Sequence, residues 1–168
     1  MSQAIVYKET IEFLKTIKEL KTVDMYRQQF DNFTKEDGFL LPAAFVELKP
    51  SNFQDLGGAT GHQLYDLTVT IYIGFDHYQG TNFQKALELK QRIYQKYHRF
   101  EPKSIDTIGR FLRDGEELQG ELNNVYIFAQ SFTCKSCMDY DVDTRPTNPI
   151  TITVPVTRSE IDITTEIE

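Results

Sequence analysis

The run Leu64–Phe75, LYDLTVTIYIGF, constrains the fold more than any other stretch of the chain. From Tyr65 onward, Tyr65, Leu67, Val69, Ile71, Ile73 and Phe75 alternate with Asp66, Thr68, Thr70 and Tyr72. A period of two in β-branched and aromatic residues belongs to a strand with one apolar face and one polar face. Tyr65–Phe75 is therefore read as the central strand of a sheet. Ala43–Leu48 and Val125–Cys134 are shorter runs of similar composition and supply its neighbours. Val125–Cys134 is apolar or aromatic at many positions on both faces, which places it inside the sheet.

Two stretches have helical periodicity. Between about Ala4 and Lys21, Thr10, Phe13, Leu14, Ile17 and Leu20 recur at three- and four-residue steps, with Lys8, Glu12, Lys15 and Glu19 outside that stripe. From Asn82 to Tyr97, Phe83, Ala86, Leu87, Ile93, Tyr94 and Tyr97 gather near one face. Thr81 or Asn82 can cap this second helix, and Pro102 prevents its continuation.

The connections follow from turn chemistry. Thr22–Arg27 reads as a short edge strand and Gln28–Gly38 as a turn-rich segment. Pro42 opens the strand Ala43–Leu48, which ends near Pro50. Ser51–Gln63, with Gly57, Gly58 and Gly61, reads as a long mobile hairpin loop of the kind that meets partners, and Asp76–Gly80 as a turn. Ile105–Arg113 is strand-like but broken by Gly109, and Asp114–Asn124, with Gly115 and Gly120, reads as a loop.

Beyond Asp139 the composition changes. Pro146, Pro149 and Pro155 flank the alternating ITITV of Ile150–Val154, and Glu160, Asp162, Glu166 and Glu168 make the end acidic. Such a segment supplies neither a helix nor a core. It reads either as an extended arm ordered on a neighbour, for instance as a strand added to an exposed edge, or as a disordered tail. The expected organisation is one α+β domain over residues 1–141 and an arm over residues 142–168. The domain carries a mixed or antiparallel sheet of about four to five strands with two main helices packed on it.

The chemistry-bearing residues do not assemble into a catalytic signature. Cys134-Lys135-Ser136-Cys137 is a CxxC, the spacing of half a zinc site or of a redox pair. A second ligand pair is missing: His62, His77 and His98 are scattered, and no helix pattern follows Cys137. Two unpaired thiols at a strand end, one of them buried, is the plainer reading. Asp139, Asp141 and Asp143 alternate like calcium ligands but lack the glycine and the downstream glutamate of such loops. Gly57–His62 lacks the GK[ST] of a phosphate-binding loop. No Ser–His–Asp or Cys–His set stands out, so the expectation is a protein without catalytic, cofactor or metal site.

Charge and length bear on partners. At 168 residues with a net charge of −7, the chain is one ordinary domain without the clustered Lys and Arg of a nucleic-acid-binding face. No run approaches the ~20 apolar residues of a membrane span, and the N-terminus lacks the pattern of a signal peptide. Two cysteines are too few for a disulfide framework and fit a reducing compartment.

Three stretches carry a resemblance: VDMYRQQFDNF (Val23–Phe33) running into LPAAFVEL (Leu41–Leu48), LYDLTVTIYI (Leu64–Ile73), and IGRFLRD (Ile108–Asp114) with NNVYIFAQSFTCKSCMD (Asn123–Asp139). In residue type and order, over roughly Thr22–Asp141, the chain resembles the tail terminator proteins of long-tailed phages, the family of the lambda tail protein U. The arm Thr144–Glu168 departs from the compact pattern of that family.

The resemblance implies an α/β sandwich-like subunit of a virion tail, assembled in the cytoplasm of the bacterial host. It implies a hexameric ring that caps the tail tube protein, ends tube polymerisation and offers a surface to the head–tail connector protein. DNA passes through such a ring without sequence-specific binding, and an acidic chain suits that passage. Asn52, Phe53, Gln54 and His62 on the hairpin, with Ile150, Ile152 and Val154 on the arm, are the expected subunit or tail-tube contacts. A head–tail neck or completion protein, or the cap of a contractile phage-derived particle, would differ only in partner. A small metal-binding or enzymatic protein using Cys134 and Cys137 is the competing class.

Overall fold

The computed structural model describes residues 2–30, 38–56, 62–76, 82–122 and 125–140. Helix α1 (Ser2–Lys15) is followed by strands β1 (Thr22–Met25), β2 (Ala43–Asp55) and β3 (His62–Asp76). Helix α2 (Asn82–Tyr97) and strands β4 (Leu112–Leu122) and β5 (Val125–Tyr140) complete the chain order. The sheet runs β1-β2-β3-β5-β4, so β3 lies in the middle of five strands and β5 is interior. β1 pairs parallel with β2, whereas the β2–β3, β3–β5 and β5–β4 pairs are antiparallel. The result is the expected α+β domain with a mixed sheet and two helices.

The alternation in β3 decides which face is covered. Tyr65, Leu67, Val69, Ile71, Ile73 and Phe75 are all buried, and the core they form includes Val6, Leu14 and Ile17 from the N-terminal segment and Ala86, Leu89, Ile93 and Tyr97 from α2. Fully burying an aliphatic side chain contributes about 1.5–3 kcal/mol, so this face supplies most of the hydrophobic stabilisation. The opposite face has a smaller cluster at one end, where Phe30 and Phe39 cover Ala43, Phe45, Val125 and Ile127. Farther along that face Thr68 faces Thr133 at 3.0 Å and Thr70 faces Ser131 at 3.1 Å, two half-buried pairs of hydroxyls in register across β3 and β5.

Several boundaries differ from the sequence expectation. The first helix ends at Lys15 rather than Lys21. Its continuation is a series of tighter turns, with Thr16 N–H bonded to Phe13 O and Ile17 N–H to Leu14 O, both at 3.0 Å. The Thr16 hydroxyl also donates to Phe13 O, at 2.7 Å, so this carbonyl accepts twice at the helix end. Ile17 still reaches the core, which is why the periodicity runs past the helix. In α2 the buried line is Ala86, Leu89, Ile93 and Tyr97, while Phe83 and Leu87, assigned to that face, are exposed.

Strand β2 does not end near Pro50 but runs to Asp55. Val46 O accepts from Tyr26 N–H on the β1 side, so by the period of two the nitrogen of Pro50 points to the same side. β1 pairs only as far as Val46, and on that free edge a proline without an N–H interrupts no ladder. The expected loop Ser51–Gln63 is correspondingly shorter. Ser51–Asp55 belongs to β2, and His62 and Gln63 belong to β3, with Gln54 opposite Leu64 and Asp55 opposite Gln63.

At the other edge the expected order of strand and loop is reversed. Residues 101–110 are irregular, whereas the polar run assigned to a loop forms β4. Edge strands are held by backbone bonds to one neighbour and need no apolar face, so hydropathy is silent about them. Gly115 and Gly120 sit at the two register shifts against β5, and Gly120 has φ 113°. The last strand continues past Cys134 to Tyr140, which puts both cysteines within the sheet instead of at its end.

Candidate functional site

The end of the β2–β3 hairpin is built from two β-bulges placed side by side. On β2, Ser51 faces Asp66 and Gln54 faces Leu64, so Asn52 and Phe53 together oppose Tyr65. On β5, Cys134 faces Leu67 and Cys137 faces Tyr65, so Lys135 and Ser136 together oppose Asp66. Each bulge holds a residue in the left-handed region, Asn52 at φ 54° and Ser136 at φ 58°. Asparagine tolerates that conformation better than most side chains, which gives Asn52 its local reason.

Asp66 ties the two bulges together. Its Oδ2 accepts from Asn52 Nδ2 at 2.8 Å and its Oδ1 accepts from Ser136 N–H at 3.1 Å. These donors, the Asn52 side chain first, hold the Asp66 carboxyl below the usual aspartate range. Beside this pin Phe53, 53 % exposed, stacks on the buried Tyr65 ring at 5.7 Å between centroids. Burial first, and then the charge of Asp139, push the Tyr65 hydroxyl up to about 12. A shallow cavity of about 280 Å³ opens between Phe53, Leu64, Asp66 and Ser136. Leu56, 50 % exposed, adds a second apolar side chain at the end of β2. The hairpin end thus presents an exposed aromatic side chain on a backbone pinned by Asp66.

The expected contact residues are partly brought together. Asn52, Phe53 and Gln54 lie on the β2 bulge, on ordered strand rather than on a loop, and His62 opens β3 opposite Tyr140. Ile150, Ile152 and Val154 lie outside the described residues, as do the segment 142–168, Gly57, Gly58, Gly61, His77, Thr81, Asp141 and Asp143. Asp66 and Ser136 escaped the sequence reading. The available signal was Asn52 itself, a residue suited to the left-handed region within an otherwise strand-like run.

The remaining chemistry-bearing residues are dispersed. His98 ends near α2, where its Nδ1 accepts from Arg113 N–H at 3.2 Å. Asp139 accepts from the Ser2 hydroxyl at 2.6 Å. Cys134 and Cys137 are both free and both buried, where one buried thiol was expected. Among the described residues no three His, Cys, Asp or Glu side chains gather as metal ligands, and no helix is long and apolar enough to cross a membrane.

Fold and surface together define a single α+β domain with a pinned, aromatic-bearing hairpin. No protein-family model matches this chain, and no curated protein matches it significantly.

Proposed function

We propose that the chain is a structural protein of a phage or prophage tail, a tail terminator whose copies close into a ring on the end of the tail tube. The observation that supports this reading most is the hairpin end. Phe53 is exposed on β2 and Leu56 just past the end of that strand, which the Asn52–Asp66–Ser136 link pins to its neighbours. A ring requires heterologous contacts that close, in which a protruding element of one copy meets a different surface of the next. The resemblance implies an α/β sandwich-like subunit, and a single mixed sheet with two helices packed on it is compatible with that. In this reading the partners are further copies of the chain, a tail tube protein and a head–tail connector, and the site of action is the virion tail. A neck or completion protein, or the cap of a contractile particle, would share the subunit and differ in what it docks to.

Light scattering over a concentration series, with negative-stain images of any large species, tests the reading. Closed rings of about six subunits, alone or on added tail tubes, are the expected result. Phe53→Asp should reduce ring formation while leaving the circular dichroism spectrum unchanged. A monomer at every concentration that also fails to cap tail tubes would overturn the assignment.

A further inference from the structure

We propose that Cys134 and Cys137 form a reversible dithiol–disulfide site that closes by exchange with a low-molecular-weight disulfide such as oxidised glutathione. In a regular strand, residues three apart point to opposite faces. The bulge at Lys135–Ser136 removes that separation: Cys134 and Cys137 face Leu67 and Tyr65, two positions apart on β3 and on the same side of the sheet. Two residues of strand rise span about 6.6 Å, within the upper range of Cα separations that a disulfide bridges. The Cys137 thiol is turned back toward its partner and donates to Cys134 O at 3.6 Å.

The cover over the pair is thin on one side. Gly109 is exposed, and a Cβ at that position would sit 3.8 Å from Cys134 Sγ. Only a glycine's backbone lies there, so a small opening of the irregular segment 101–110 bares Cys134 first. Cys134 Sγ lies nearest this thin cover and is reached first, so it is the attacking sulfur and Cys137 the resolving one.

The exchange balances in two steps. Cys134 gives its proton to water and its thiolate attacks one sulfur of oxidised glutathione, breaking that S–S bond and releasing a glutathione thiolate. Cys137 then gives up its proton and attacks the Cys134 sulfur, breaking the mixed disulfide and releasing the second glutathione. Two protein thiols are oxidised and one glutathione disulfide is reduced. A chain made in a reducing compartment carries the dithiol, and an oxidising medium closes it. Closure links both ends of the β5 bulge whose Ser136 amide is bound by Asp66, so it stiffens the hairpin end.

The full chain, reduced, desalted and incubated with oxidised glutathione without denaturant, should lose two hydrogen atoms by intact mass. It should also lose all thiol alkylation once denatured. Trypsin cuts after Lys135, so the fragments containing Cys134 and Cys137 should stay joined until a reductant is added. Cys137→Ser should stop at a glutathione adduct on Cys134. Wild-type chain that keeps both thiols, stalls as the glutathione adduct or links only to a second chain would overturn the proposal. The wild-type peptide map decides even if the variant does not fold.

Discussion

Phe30 lays its ring over Gly74, so that a Cβ built on Gly74 would lie 2.5 Å from Phe30 Cζ and closer still to Cε1. The ring is held in place by edge-on contacts with Phe39 at 5.9 Å and Phe45 at 5.1 Å. A glycine near the end of β3 is explained here by close approach of another group. Gly74→Ala should destabilise by about 1–3 kcal/mol through overpacking. Denaturant unfolding measures this, and adding Phe30→Leu should recover part of the loss, because the two sites couple directly.

The two helices are joined by a buried polar contact. Thr10 Oγ1 donates to Val6 O at 2.7 Å and lies 2.8 Å from the Tyr97 hydroxyl, which donates to it. Tyr97→Phe should cost about 1 kcal/mol, the net worth of one such bond. Tyr97→Ala should cost about 3–5 kcal/mol, since it also empties core volume against Phe132. Equal losses for the two variants in chemical denaturation would contradict this division.

At the β2 bulge the backbone, more than the side chain, sets the cost of substitution. Asn52→Gly should stay near wild-type stability, because glycine enters the left-handed region freely and its gain offsets loss of the bond to Asp66. Asn52→Val should cost about 1–2 kcal/mol for the same backbone angle and lose that bond as well. Thermal unfolding of the pair should therefore rank glycine above valine.

Alkali should destabilise the domain through its buried tyrosines. Tyr65 in the folded chain keeps its proton up to about 12, against 10.0 when unfolded. The unfolded state thus loses its proton first as pH rises. The stability contribution of Tyr65 is complete below pH 10.0 and is lost between there and about 12. Tyr97, raised chiefly by burial, and Tyr72, raised by burial and by its bond to Glu47, act in the same direction. Tyrosinate absorbance should rise together with unfolding, and Tyr65→Phe should reduce the loss.

Acid acts through carboxylates held low. Lys90, bonded at 2.5 Å, lowers Glu116, and the Asn52 amide lowers Asp66. Their contributions are present above the ordinary values of 4.5 and 3.8 and fade as pH falls through the lower folded values. The urea midpoint should fall over that window, and less in Glu116→Gln than in wild type.

The residue pattern alone determined where β3 lies and which of its faces is covered, because alternation and burial express one local constraint. It also located α2 and the start of β5. It misplaced β4, reading its polar residues as a loop, because they are held in a strand by hydrogen bonds to β5, a partner chosen by topology. It was silent on Asp66 as the link between two bulges, and on Cys134 and Cys137 sharing a face. Those relationships depend on register between strands far apart in the chain, and register is set only when backbone donors and acceptors pair across the finished sheet.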